Sequence, residues 1–244
     1  MAGTDAKKLR IYENLSPGAP LATEDLARLG ISPRLAWHYA HTGWLQHLGR
    51  GVYAKPGDQL ALNPSLVLLQ RTFQGLHVGG KSALDWYGYR HYVARAPTTH
   101  LYAWSSGRLP TWFTERFSVA FHRKRLFRET PDNLLYVTPF EKRASEPNVS
   151  EPERAVLELL SEVGSRQPLQ HARELLEETH TLRAGVLDEL LHHCTSVKTV
   201  RLCLQLGHEL DLPWASKLNP DDLPTGSRRD WVTRTPEGVL VLKP

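Results

Sequence analysis

Between Ile31 and Lys55 the chain reads ISPRLAWHYAHTGWLQHLGRGVYAK, and four side chains suited to nucleic-acid contact recur there at spacings of three and four: Arg34, Trp37, His38 and His41. On a helix those spacings place them on one face. A guanidinium pairs with phosphate or with guanine, imidazoles exchange hydrogen bonds with base edges, and an indole packs on sugars or bases. A face that merely meets water usually carries Glu and Lys, and this one carries neither. About ten residues further on, Arg50 sits between Gly49 and Gly51, and Lys55 follows.

The elements that must position these groups are legible around them. Ser32 is placed to cap the helix and Pro33 occupies its first turn, where the missing N–H costs nothing. Ile31, Ala36, Tyr39 and Ala40 form the inward stripe, and Gly43 ends the helix. The preceding segment reads as a helix begun and capped by Thr23, with Leu26 and Leu29 inward and Gly30 closing it. After the second helix, WLQHL and GVYA alternate as two short strands, so a hairpin holds Arg50 at its tip. A further helix is expected over Asp5–Asn14, ended by SPGAP. Helix, glycine turn, helix and hairpin make a winged helix-turn-helix, which places the second helix in the major groove and Arg50 at a neighbouring minor groove or phosphate. The expected DNA-facing set is Ser32, Arg34, Trp37, His38, His41, Arg50 and Lys55, with Lys7 or Lys8 as further backbone contacts. The alternative for such a module is a purely protein-binding role.

The rest of the chain sorts by charge and pattern. Residues 1–58 hold seven basic and five acidic side chains, 59–149 twelve and six, and 150–244 eleven and fifteen, so the basic excess lies in the middle and the last third is acidic. That balance favours a polyanion partner for the first 150 residues. The segment PGDQLALN marks a linker. Helices are expected over 64–74 and 80–87, and strands at HLYAW, FSVAFH and LLYVTP. Between the last two strands a hairpin would carry Arg123, Lys124, Arg125 and Arg128, either as a solvated turn or as a secondary polyanion contact. From Glu151 onward, four segments repeat leucine at helical spacing. The expected fold is therefore α+β: a winged helix-turn-helix (1–58), a mixed helix and strand region (59–149) and a mostly helical region (150–244).

Catalytic patterns are absent from the sequence: no P-loop, no dinucleotide glycine motif, no GxSxG and no HExxH. Pro131-Asp132 with Glu141-Lys142-Arg143 has the wrong spacing for a nuclease core, and Asp132-Asn133 reads as a turn. His192, His193, Cys194, Cys203 and His208 lack the close pairs of a zinc site. Cys194 and Cys203, nine apart on one helix, project too differently to bridge and are expected as packed thiols. No catalytic residue, metal or cofactor is expected. No apolar run reaches the roughly 18 residues of a membrane span, so a cytoplasmic location is expected.

Several longer stretches resemble the AbiEi-type antitoxins of bacterial type IV toxin-antitoxin (abortive infection) systems. They are LATEDLARLGIS and GWLQHLGRGVYAKPG at the front, GGKSALDWYGYRHYV in the middle, and SEPERAVLELL, SVKTVRLCLQL and LPTGSRRDW at the back, in the family's order and over nearly the whole chain. The resemblance implies a DNA-binding N-terminal domain that represses its own operon, acting on double-stranded operator DNA with inverted repeats as a monomer that loads in more than one copy. It also implies a C-terminal domain that counters a nucleotidyltransferase-like toxin, directly or functionally. Such a toxin holds its metal with carboxylates, which offer an acidic target. The cations expected to meet it are Lys198, Arg201, Arg228 and Arg229. A winged-helix regulator without a toxin partner is the alternative reading.

Overall fold

A computed structural model describes residues 16–89, 97–104, 107–235 and 238–243. The expected opening helix, with Lys7 and Lys8, lies outside the described residues. The fold is α+β, and the chain divides into two compact units that do not follow the expected divisions at 58 and 149. One draws on 1–73, 106–118 and 139–147; the other on 74–105, 119–138 and 148–244.

In the first unit β1 (Leu21–Ala22) leads straight into α1 (Thr23–Arg28), followed by α2 (Pro33–His41), β2 (Gln46–Gly49), β3 (Val52–Ala54) and α3 (Leu62–Gln70). The strands pair antiparallel in the order β1-β3-β2. Leu26, Ile31, Ala36, Tyr39, Leu45 and Tyr53 form the core under the two helices, all nearly sealed from water; of the expected inward residues Leu26, Ile31, Ala36 and Tyr39 lie in it, and Leu29 and Ala40 pack against it half-buried. Thr23 does not cap α1. Ala22 holds the cap position and its N–H donates to Asp25 Oδ2 (3.0 Å), whereas Thr23 donates through both its N–H and its hydroxyl to Gly51 O at 2.9 and 3.1 Å. That pair of bonds ties the β2–β3 turn to the start of α1. A short α4 (Gly80–Trp86) belongs to the second unit; α5 (Thr111–Thr114) returns to the first, where the Trp112 ring lies against the bare Cα of Gly49.

The second unit holds a five-stranded sheet in the order β6-β5-β4-β8-β7, made of β4 (His77–Val78), β5 (Thr99–Ala103), β6 (Val119–Arg123), β7 (Val137–Pro139) and β8 (Asn148–Ser150). β4 runs antiparallel to β5 and parallel to β8, and β5 runs parallel to β6. α6 (Pro152–Ser161) packs against α4 and β8, α7 (Leu169–Glu177), α8 (Ala184–His193) and α9 (Val197–Glu209) pack around α6, and a terminal hairpin of β9 (Trp231–Thr235) and β10 (Gly238–Leu242) follows. β6 and β7 lie at opposite edges of the sheet, so the cationic segment between them is not a hairpin. It is laid against the end of α8 instead, with Arg128 N donating to His193 O and Thr195 N to Leu126 O, both at 2.8 Å.

Helix α6 is the centre of this unit, buried from Glu153 to Ser161. A helix hidden all round is normally apolar, yet this one carries Glu153, Arg154 and Glu158. Each is answered. Glu158 accepts from His77 Nε2 (2.8 Å), Arg154 Nε (2.8 Å), Ser150 Oγ (2.8 Å) and Gly80 N (3.0 Å). Arg154 forks onto both oxygens of Glu129 at 2.7 and 2.8 Å and onto Leu135 O; Glu153 receives Arg183. Burial alone would push the Glu158 carboxyl up, but His77 and Arg154 outweigh it and hold it down to about 2.

Candidate nucleic-acid interface

Helix α2 begins as its sequence dictates: Ser32 Oγ accepts from Leu35 N at 3.3 Å, and Pro33 follows in the first turn. Ile31, Ala36 and Tyr39 turn into the core and thereby turn Arg34, Trp37, His38 and His41 outward, where all four are exposed. Trp37 is 58% exposed, far more than a tryptophan with a structural task in this unit. Its ring stacks on His41 with centroids 4.0 Å apart, so indole and imidazole form one aromatic stack on the helix face that also carries Arg34 and His38. Gly43 follows in the left-handed conformation at φ +76°, and the Thr42 hydroxyl closes the helix on His38 O.

The β2–β3 hairpin carries Arg50 at its turn, exposed, with Gly51 at φ +70°. The register slips between His47 and Gly49, a bulge that strengthens the local twist. Three residues outside the expected set join this surface: Trp44 (40% exposed), Gln46 and His47. Alternation along WLQHL sets Trp44 and Gln46 opposite the buried Leu45, which was the signal available for those two; it puts His47 on the side of Leu45, so alternation gave no signal for His47. Lys55 is half-buried and takes part in an interaction within the chain, and is the least accessible of the expected DNA-facing set.

The two secondary cation sets come apart. Within Arg123, Lys124, Arg125 and Arg128, Lys124 is spent internally: its Nζ donates to Ser161 O, Ser161 Oγ and Glu162 Oε1 at 3.0, 3.0 and 2.8 Å. The Arg125 guanidinium lies 4.7 Å over the Trp104 ring, and Arg123, Arg125 and Arg128 remain exposed. Of Lys198, Arg201, Arg228 and Arg229, the first two are not surface cations. Lys198 Nζ donates to Ser161 O and Val163 O at 2.9 and 2.8 Å, at the negative end of α6. Arg201 is 3% exposed, its guanidinium donating to the carbonyls of Thr225, Ser227, Arg229 and Leu242. It holds the segment before β9 to the end of β10. Arg228 and Arg229 are exposed.

Among the described residues no group of three or more His, Cys, Asp and Glu side chains is placed to hold a metal ion. Burial pushes the Cys194 thiol up to about 11 and the Cys203 thiol higher still, away from the thiolate a metal requires. No helix of the described residues is long and apolar enough to cross a membrane.

Comparison with known families gives two adjacent matches that cover almost the entire chain. Residues 5–95 match "Transcriptional regulator, AbiEi antitoxin N-terminal domain", and residues 96–243 match "Transcriptional regulator, AbiEi antitoxin, Type IV TA system". The chain belongs to the AbiEi antitoxin family. Among solved structures it is similar to that of the RV2827C protein from Mycobacterium tuberculosis, with 16% identity and a TM-score of 0.53 over 90% of this chain and 84% of the other; at that identity the likeness speaks for the fold. No curated protein matches the sequence. The two AbiEi matches meet at residues 95 and 96, inside the second compact unit, and Glu158 joins them: it accepts from His77 and Gly80 of the first match and from Ser150 and Arg154 of the second.

Proposed function

We propose that this AbiEi-family regulator binds operator DNA as a winged helix, with α2 in the major groove and the Arg50 turn against an adjacent minor groove or phosphate, and that its second unit counters a nucleotidyltransferase-like toxin. The observation that carries the DNA reading is the exposed face of α2. It presents a guanidinium, two imidazoles and an indole, no carboxylate among them, on a helix whose opposite side is fully committed to the core. Arg34 and His38 supply the base-edge or phosphate hydrogen bonds, and the stacked Trp37–His41 pair supplies the apolar contact. Copies bind side by side on inverted repeats of the operon's own promoter, which makes the protein an autorepressor. The toxin reading leans on the family's description as antitoxins. Its surface is assigned to Arg228 and Arg229 together with the outward valines of the β9–β10 hairpin, Val232, Val239 and Val241, all exposed.

Gel-shift titration against the promoter of its own operon and against random DNA tests the DNA reading. Arg34→Ala and His38→Ala are each expected to weaken promoter binding by about 1–3 kcal/mol, while circular dichroism stays native because neither side chain contributes to the core. Unchanged promoter affinity in both variants removes α2 from the interface.

A further inference from the structure

In the second unit a hollow is lined by hydrogen-bond donors that neither the DNA reading nor the toxin reading uses. Its floor is formed by the buried His122 and Gln167, and its rim by the half-buried Lys81 and the exposed Arg166, with His100 between them. Gln167 is 6% exposed, and its Nε2 has no hydrogen-bond partner among the described residues. An amide donor buried without an acceptor destabilises the fold, so this one marks a place where an acceptor belongs. The histidines add a second donor. Arg166 donates to His122 Nδ1 at 3.2 Å, which leaves the proton of a neutral His122 on Nε2; that N–H donates to His100 Nδ1 at 2.9 Å, and His100 then carries its own proton on Nε2. Glu162 Oε2 lies 3.3 Å from the same His122 Nδ1.

The charge balance selects an anion. Among the described residues Glu162 is the one carboxylate of the lining, and Lys124 neutralises it at 2.8 Å. Lys81 and Arg166 are left as the net charge of the hollow, a dicationic rim that repels metal ions and amines. The floor has room for about one water-sized atom, which suits a single oxygen whose remaining substituents sit at the rim. We propose that this hollow binds a tetrahedral oxyanion of the phosphate class, one oxygen facing Gln167 Nε2 and His100 and the others held between Lys81 and Arg166.

Isothermal titration calorimetry on the full chain tests it, with inorganic phosphate as the probe and ionic strength held constant with chloride. The chain carries Arg34→Ala and Arg50→Ala in every arm, so that phosphate binding at the proposed DNA face does not contribute. One saturable site per chain is expected. Substituting Lys81→Met and Arg166→Met together, both at the rim and outside the core, should weaken it at least tenfold with the melting temperature retained; Gln167→Leu gives a second, independent loss. A nucleoside monophosphate that binds tighter than inorganic phosphate identifies a phosphate monoester as the ligand, and one that binds equally or more weakly identifies the free oxyanion. Absence of saturation at millimolar phosphate, equal binding of acetate, or unchanged affinity in the Lys81/Arg166 variant overturns the proposal.

Discussion

Replacing Glu158 is the most demanding test of how the second unit is held together, because four donors converge on one carboxylate that is almost completely buried. Two face each oxygen: His77 Nε2 and Arg154 Nε at Oε1, Gly80 N and Ser150 Oγ at Oε2. Glu158→Gln keeps the volume and one accepting oxygen. Its best orientation leaves the oxygen to Gly80 and Ser150 and turns the amide nitrogen toward His77 Nε2, which can accept from it while Nδ1 donates to Gly75 O at 2.7 Å, so Arg154 Nε is the donor that loses its acceptor. Arg154 keeps its fork on Glu129, which limits the loss to about 1.5–3 kcal/mol, the range of one hydrogen bond to a charged group. Glu158→Leu has no such escape. It strands Ser150, Gly80 N and the imidazole together and should cost about 3–5 kcal/mol, the penalty for breaking a buried ionic pair by removing one member. For a unit of this size the leucine variant should melt about 6–20 °C lower. Urea denaturation followed by circular dichroism, with thermal melts in parallel, measures both variants. A leucine variant within about 1 kcal/mol of the parent would refute the argument, since apolar packing at this position would then match the whole donor set.

Three further perturbations probe exposed arginines and one half-buried histidine. Arg50→Ala should weaken operator binding and make the log-affinity against log-salt slope shallower by about 0.9, the share of one phosphate contact; an identical slope places the turn away from the backbone. His100, driven down to about 3 by burial, Lys81 and His122, stays neutral in the folded protein while the unfolded chain takes a proton below about 6.5. Stability is therefore lost as pH falls from about 6.5 towards 3, and His100→Asn should lose less than the parent between pH 7 and 5 in urea titrations; equal losses would discount that histidine. Reversing both charges with Arg228→Glu and Arg229→Glu should abolish rescue of cells that co-express the neighbouring toxin, and full rescue moves the neutralising surface elsewhere.

What the sequence disclosed and what it hid divide along the range of the interactions. Ser32-Pro33, Gly43 and the Gly49-Arg50-Gly51 turn act within a few residues, so α2 and its hairpin were readable from local spacing alone. Even there Thr23 was misplaced by one position, because the oxygen that claims its hydroxyl belongs to Gly51, 28 residues on. β4 has two residues and β8 three, too short for alternation to reveal, and without them the sheet order could not place β6 and β7 at opposite edges. The discontinuous first unit was hidden for the same reason: nothing in 106–118 or 139–147 announces that these segments rejoin residues 1–73. Lys198 and Arg201 looked like surface cations because helical spacing shows where a side chain points on its own helix, but not what later chain covers it. The carbonyls that enclose Arg201 lie 24 to 41 residues downstream.

Two of the stretches by which the chain resembles its family meet in the contacts of Glu158. GGKSAL and SEPERAVLELL are 66 or more residues apart in sequence and close on one carboxylate in space. Gly79 and Gly80 are glycines because a Cβ on the first would enter the Glu158 carboxylate and one on the second would meet the Tyr102 hydroxyl at 2.7 Å, with φ at +53° besides. That clearance lets Gly80 N reach Glu158 at 3.0 Å. Ser82 then accepts from His100 N at 2.8 Å, fixing β5 against α4, and Lys81 between them is left facing the oxyanion hollow. From His77 the stack continues through Tyr102 (5.9 Å) to His122 (4.6 Å) and His100 (5.0 Å), so a single column of rings connects the buried carboxylate to the hollow. A glutamate flanked by leucines reads in sequence as the exposed side of an amphipathic helix. Here it is the acceptor around which the glycine-lysine-serine stretch takes its shape, with Gly80 N bonded to Glu158 and the Lys81 side chain left to line the hollow.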